Sequence, residues 1–339
     1  MSRDAEKRAF LSGTDWAGAE LRPLAGDASL RSYQRLHRAD GSTAVLMDAP
    51  PGSGEDIRPF CAMARHLTAL GLSAPALLKE DAGAGLLLLE DLGDALYARV
   101  IAEDPALAAP LYDAAAEALR VLHAAPPPEG LAAYDTGIMT QMSVLAYTWY
   151  QAGATGQGVR NLPFFVTTLQ PLLAALEAEP PVVILRDYHA ENLLWLPDRA
   201  GAARTGLLDF QDAMLGHPAY DLVSMLQDAR RDVDPALEDA MVPRFAAATG
   251  RDPDTFRRAY DLLGVQRNLR ILGVFARLSM HYGRPRYVDF IPRVWGLLCR
   301  SLDRPGLEPL RERLLTDLPE PTPEILQTLR DKCATVPQP

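Results

Sequence analysis

Leu185-Arg-Asp187-Tyr-His189-Ala-Glu-Asn192-Leu-Leu-Trp195, followed by Gly206-Leu-Leu-Asp209-Phe-Gln211-Asp212, decides how this chain is read. Three short apolar runs, 182–185, 192–195 and 206–210, have the length and composition of buried strands separated by loops. Asp187 and Asn192 therefore share one tight loop, and Asp209 stands at the end of the next strand. A carboxylate so held can accept or orient a hydroxyl proton. An amide oxygen and a second carboxylate are hard donors that suit Mg²⁺ beside phosphates. The chain has three asparagines in all, Asn161, Asn192 and Asn268, so their placement is informative. Asp-x4-Asn alone is a weak signal; the strand ending in Asp209-Phe210 strengthens it.

Working outward, the first ninety residues read as a small mixed lobe. Ser32–His37 and Thr43–Met47, joined across Asp40-Gly41, predict a hairpin. Asp56–Leu70 carries Ile57, Phe60, Met63, Ala64 and Leu67 at helical spacing, with Gly71 as its stop. Gly85–Glu90 is an apolar strand that runs into Asp91-Leu92-Gly93, a connector. From Leu96 onward the pattern is helical: 107–123, 139–150, 164–176, 221–230 and 255–280. A last helix starts at Thr322-Pro323. The expectation is an α+β, bilobal chain: residues 1–91 a small β-rich lobe with a hinge near 88–93, and 94–339 a larger helical lobe. The spacing of Asp187, Asn192 and Asp209 within it follows the logic of a kinase core.

Composition bounds the rest. The chain has 339 residues and a net charge of −10, so no basic nucleic-acid footprint exists and no nucleic-acid partner is expected. Three cysteines without a CxxC pair argue against a disulfide framework or a cysteine zinc site. No run is long and apolar enough for a bilayer, and no secretory signal follows the charged first residues. A cytoplasmic location, no membrane partner and a monomer are expected. Only Lys7, Lys79 and Lys332 are lysines, leaving 34 − 3 = 31 arginines. That scarcity matters because kinases anchor phosphates with a lysine.

Asp187-x4-Asn192, Asp209-Phe-Gln-Asp212 and Gly216-His-Pro-Ala-Tyr-Asp221-Leu resemble the aminoglycoside phosphotransferase/choline kinase superfamily, which has a protein-kinase-like fold. Gly26-Asp27-Ala-Ser29, Val45-Leu-Met47-Asp-Ala-Pro-Pro51, Leu87-Leu-Leu-Glu90-Asp-Leu92-Gly-Asp94 and Asp221-Leu-Val-Ser-Met-Leu226 are similar to the bacterial anomeric sugar kinases of cell-wall recycling, from about Leu21 to Arg293. The resemblance implies ATP and Mg²⁺, and an amino-sugar acceptor: the 1-hydroxyl of N-acetylmuramate, N-acetylglucosamine or both, in peptidoglycan recycling. It implies Asp187 as catalytic base, Asn192 and Asp209 as metal ligands, and Asp221 as support of the catalytic loop. An N-cap role for Asp221 is compatible with that.

The resemblance implies that 1–91 is the nucleotide-binding lobe and 94–339 the catalytic and acceptor-binding lobe, with Gly26, Asp27 and Ser29 over the phosphates and a hinge around Glu90 and Leu92. Two departures stand out. Leu185 replaces the usual His before the base. Met47 stands where the β3 lysine belongs, as in the recycling branch, so an arginine such as Arg31 or Arg35 is expected to substitute. For the acceptor, Gln211, Asp212, His189, Arg267 and Arg270 are the candidates, the arginines facing a sugar carboxylate. A solvated helix face for the arginines, and core positions for Trp149 and Tyr150, are the plain alternatives. Two other functions stay open: a kinase for another hydroxylated metabolite or an aminoglycoside, and a catalytically silent nucleotide-binding regulator.

Overall fold

The structure, a computed structural model, describes residues 2–24 and 31–337. By contact density the chain forms two units: Met1–Glu129 with Ala190–Ala213, and Gly130–His189 with Met214–Pro339. In chain order the first unit holds α1 (Arg3–Leu11), β1 (Glu20–Leu24), β2 (Ser32–His37), β3 (Thr43–Asp48), α2 (Arg58–Ala69), β4 (Leu77–Asp81), β5 (Leu86–Glu90), α3 (Tyr97–Glu103) and α4 (Ala108–Ala124). The second begins with α5 (Thr136–Leu145), a π-helical turn over Ala146–Gln151, α6 (Ala152–Thr155), α7 (Leu162–Ala175) and β6 (Val182–Ile184). The chain then returns to the first unit for β7 (Leu193–Trp195) and β8 (Thr205–Leu207). It ends in the second with β9 (Met214–Gly216), α8 (Tyr220–Leu226), α9 (Pro235–Ala248), α10 (Pro253–Met280), α11 (Ile291–Leu302), α12 (Glu308–Asp317) and α13 (Pro323–Asp331).

Five strands of the first unit make an antiparallel sheet in the order β1-β2-β3-β5-β4. The expected β2–β3 hairpin is present. Gly41 takes φ 85°, and the Asp40 carboxylate accepts from Ser42 N at 2.9 Å to close the turn. Tyr33 lies opposite Met47 and Arg35 opposite Val45. Side chains alternate across a strand, so these four share one face, and Leu36, Ala44, Leu46 and Asp48 share the other. Leu86 and Leu88 of β5 continue that second face, and Phe10 and Leu11 of α1 cover it. Each such leucine, fully buried, contributes about 1.5–3 kcal/mol. Asp48 receives Arg3 Nε at 2.8 Å and Lys7 Nζ at 2.7 Å. Lys79 Nζ donates to Phe10 O at 2.5 Å and lies 5.0 Å from the ring of Phe10.

Helix α2 buries Phe60, Met63, Ala64 and Leu67 and is followed by Gly71 at φ 75°, as its spacing predicted. The β7–β8 hairpin joins the same unit through bridges from Ser73 to Gly206 and from Leu96 to Leu194.

The second unit is built around α10, 28 residues long and, past its exposed first turns, buried on every side from Ala259. It packs against α5, α9 and α11. Gly273 allows the closest approach: a Cβ there would sit 2.2 Å from the carbonyl carbon of Leu145. The predicted helix 139–150 is α5 continued by the π turn, which buries Tyr147, Trp149 and Tyr150; the last two are core residues. Helix α13 starts as expected, with Thr322 capping Ile325 N. Among the described residues, no helix is long and apolar enough to cross a membrane.

Candidate active site

The loop after β6 is clamped from α8. Strand β6 pairs antiparallel with β9, and the chain leaves it as Leu185-Arg186-Asp187. Asp221 accepts from Leu185 N at 2.6 Å through Oδ2 and from Arg186 N at 2.8 Å through Oδ1. Asp221 is 0% exposed, and burial pushes its carboxyl up to about 7, against the pull of those two backbone N–H groups. It stands inside α8, whose N-cap is Ala219, so its role is to hold the loop and not to cap a helix. Ser224, one turn on, donates to Arg186 O at 3.2 Å and accepts from Arg267 at 2.7 Å. Arg186 is thereby fixed at φ 70°, a conformation that non-glycine residues rarely adopt.

Asp187, directly after this strained residue, is half-buried. Burial alone would raise its carboxyl. The guanidiniums of Arg270, Arg267 and Arg186 outweigh that and hold it below the ordinary carboxylate range. Asp187 is therefore ionised near neutral pH and able to accept a proton. Arg267 is 3% exposed and bonded to Ser224, so it sits in the wall behind the loop. Arg270 is half-buried on the same helix. His189 is 4% exposed, lies 3.0 Å from Arg230 through Nε2, and is pushed down to about 4 by burial. It is neutral at pH 7, with Nε2 accepting from the guanidinium. Sequence reasoning missed Arg186, Ser224, Arg230 and Tyr134. The Arg186 guanidinium lies 5.6 Å from the Tyr134 ring, and Tyr134 carries no motif that would have announced it.

Asn192 and Asp209 belong to the first unit. The β7–β8 hairpin pairs Leu193 with Leu207, so the residues flanking that pair meet. Leu208 N donates to Asn192 O at 3.0 Å, and Asn192 Nδ2 lies 3.5 Å from Asp209 Oδ2. Asp209 is exposed, at φ 56°, and its Oδ1 accepts from Gln211 Nε2 at 2.7 Å. Phe210 anchors the turn by stacking on Phe60 at 4.8 Å. The Asn192 amide meets the Asp209 carboxylate through its nitrogen at a strained, exposed turn; rotated about its terminal bond it would set its oxygen beside that carboxylate, and two such hard donors fit Mg²⁺. Asp212 is exposed.

The nucleotide candidates of this unit are placed as follows. Arg31 bonds Glu55, with Nε at 2.8 Å and Nη2 at 2.7 Å from Oε2. Met47 is 0% exposed. Glu90 accepts from Arg199 at 2.6 Å and from Ala76 N at 3.2 Å, so its carboxylate is committed within the fold. Leu92 is buried. Arg35 donates to Asp94 at 2.7 Å and to Asp91 at 3.1 Å. Gly26, Asp27 and Ser29 lie outside the described residues.

A family model described as "Phosphotransferase enzyme family" matches residues 20–260. The N-acetylmuramate/N-acetylglucosamine kinase of Caulobacter vibrioides is 42% identical to this chain, over 91% of it and 95% of that protein. The protein of the same name from Pseudomonas aeruginosa is 35% identical, over 89% of each. Among solved structures, a choline/ethanolamine kinase family protein from Mesorhizobium loti superposes with a TM-score of 0.60 at 16% identity, covering 97% of this chain and 99% of the other. The microcompartment-associated aminopropanol kinase also gives 0.60, covering 92% and 98%. The bilobal, protein-kinase-like α+β fold expected from the sequence is the fold these structures share.

Proposed function

This chain belongs to the phosphotransferase enzyme family, and from that premise we propose that it transfers the γ-phosphoryl group of ATP to the anomeric 1-hydroxyl of N-acetylmuramate, N-acetylglucosamine or both. The observation that carries this acceptor is 42% identity, over nine-tenths of the chain, to a kinase of that name. We read the enzyme as a cytoplasmic monomer serving peptidoglycan recycling. We also read residues 1–91 as the nucleotide lobe, the 88–93 segment as its hinge and 94–339 as the catalytic lobe.

Each residue then has a task. Asp187 takes the proton of the 1-hydroxyl as that oxygen bonds the γ-phosphorus; the bond from that phosphorus to the bridging oxygen breaks, and ADP leaves with the electron pair. The clamp of Asp221 and Ser224 fixes where Asp187 points, which is the main contribution a protein makes to phosphoryl transfer. Asn192 and Asp209 would hold Mg²⁺, which when bound neutralises charge on the phosphates. Gln211, Asp212, His189 and Arg270 are read as acceptor contacts. We assign Arg186 to that group, and we move Arg267 behind the loop because it is buried on Ser224.

The test is an acceptor panel with labelled ATP: N-acetylmuramate, N-acetylglucosamine, choline, ethanolamine and streptomycin. Sugar 1-phosphate formed from either amino sugar is the expected product. Transfer to choline or streptomycin alone would overturn the acceptor, and ATP turnover with no acceptor at all would favour a regulator.

A further inference from the structure

Several arginines of the second unit lie on carboxylates: Arg251 on Glu179, Arg257 on Asp261 and Arg293 on Asp232. Arg230 does not. Half-buried in the turn that follows α8, it lies on an imidazole, with Nη1 donating to His189 Nε2 at 3.0 Å. It forms no ion pair among the described residues. Asp228, two residues before it, commits one oxygen to the backbone: Oδ1 accepts from Arg230 N at 2.8 Å. The rest of that carboxylate is sealed in, 1% exposed, with Oδ2 buried and without a hydrogen-bond partner.

A neutral imidazole accepts a hydrogen bond but returns no charge. The Arg230 guanidinium therefore keeps its full positive charge while partly removed from water. A cation in that state destabilises the free protein, and an anion that reaches it removes the penalty. The way to it is open. A guanidinium has five N–H donors, and His189 takes one. None of the Arg230 nitrogens is buried without a partner, so the remaining donors meet solvent. His189 is 4% exposed and its Nε2 is occupied. On this side of the loop that carries Asp187, the polar group open to an acceptor is thus Arg230 and not the imidazole beneath it. The neighbouring arginines have other tasks. Arg267 is 3% exposed and bonded to Ser224 at 2.7 Å. Arg270 acts on Asp187 itself, whose ionisation its charge favours.

We infer that Arg230 sets the acceptor specificity of this site, its guanidinium meeting the carboxylate of an anionic amino sugar while His189 holds it from behind. The inference rests on the amino-sugar kinase reading and adds a preference to it. N-acetylmuramate ends its lactyl ether in a carboxylate, where N-acetylglucosamine has a hydroxyl. A forked, charge-assisted contact with a guanidinium is available only to the first. His189 then bears on the acceptor through Arg230, as a positioning residue.

The test compares these two sugars. Steady-state kinetics of the full chain give kcat/KM for each, and KM for ATP, in the native protein and in Arg230→Gln, Arg230→Lys, His189→Gln and His189→Leu. In Arg230→Gln the preference for N-acetylmuramate over N-acetylglucosamine is expected to fall about tenfold or more, through KM for N-acetylmuramate, while KM for ATP stays unchanged. Arg230→Lys is expected to recover part of the preference. His189→Gln, whose Oε1 can accept from Arg230 as Nε2 does, is expected to keep the preference, and His189→Leu to lose part of it. An unchanged preference in Arg230→Gln would overturn the inference. A KM for ATP that rises together with that for N-acetylmuramate would overturn it too, by showing a structural role or a nucleotide contact. A native enzyme that accepts only the neutral sugar would do the same. Where Arg230→Gln melts early, Arg230→Met, which keeps the buried stem, carries the comparison. A native protein that phosphorylates neither sugar would instead overturn the reading on which the inference rests.

Discussion

Asp221 gives one carboxylate oxygen to each of two successive backbone amides, Leu185 N and Arg186 N. An asparagine offers one acceptor and one donor, so Asp221→Asn leaves a buried N–H facing an NH₂ group. The cost is about 1–3 kcal/mol in stability, read by denaturant unfolding, and turnover should fall with it because Asp187 loses its placement. Asp187→Asn separates the two effects: turnover falls by about 10²–10⁴-fold while ADP affinity and melting temperature hold. His189 sets a pH dependence. Its pKa is depressed to about 4 from an unfolded value of 6.5, so its stabilising effect is complete above pH 6.5 and is lost as pH falls towards 4. The slope is about 1.4 kcal/mol per pH unit, and His189→Asn should remove it. Asp221, raised to about 7, acts in the opposite sense between its unfolded value of 3.8 and 7, so the difference between native and His189→Asn curves is the quantity to measure. The triplet proposed for catalysis, Asp187, Asn192 and Asp209, was legible as a set because tight loops fix spacing, and spacing is written in the sequence. Arg186, Ser224 and Arg230 were not, since their roles come from contacts between distant segments. The same blindness placed Arg267 toward solvent and substrate, when helix α10 is buried on all its faces around it and offers no solvated side to read.

At the level of elements, Gly273 is the tightest point of the second unit. In Gly273→Ala the new methyl would meet the backbone of Leu145, which cannot rotate away as a side chain would. Overpacking of this kind costs about 1–3 kcal/mol and should appear as a lower unfolding midpoint with ADP affinity retained. The long amphipathic or capped elements were readable in advance: the β2–β3 hairpin from Asp40-Gly41, α2 from its apolar spacing and Gly71, α13 from Thr322-Pro323. Strand β9 was not, because three residues are too few to show a period and it exists only by pairing with β6. Helix α1 was not read from the sequence, where its residues registered only as charged. Its charges proved to be the attachment, Arg3 and Lys7 on Asp48, and its apolar pair at 10 and 11 is too short to register as a face.

For the whole molecule, the lysine count now has a structural meaning. Lys7 and Lys79 tie α1 to its sheet, and Lys332 ties the end of the chain to α6. An acyl-phosphate analogue of ATP, which acylates lysines beside bound nucleotide, should therefore leave all three unmodified. Peptide mapping of the treated protein checks this, and a labelled Lys7 or Lys79 would place the nucleotide elsewhere. The change from strand to helix near residue 96 could be foreseen from the periodicity, but α3 and α4 beyond it belong to the first unit, which its first segment carries to Glu129. The return of residues 190–213 to the first unit could not, because short strands carry no address.

That return has a consequence for synthesis. The sheet-bearing unit lacks β7 and β8 until residue 213 has been made, 84 residues after Glu129 closes its first segment (213 − 129). At about 5–20 residues per second, the ribosome leaves it without this hairpin for about 4–17 s. For most of that interval Leu194 and Gly206 have not been made, so they cannot yet bridge Leu96 and Ser73. The nascent chain is thus obliged to wait with an open seam, and the same hairpin that closes it delivers Asn192 and Asp209. In vectorial terms, completing the first unit and setting the pair proposed to hold the metal are one event.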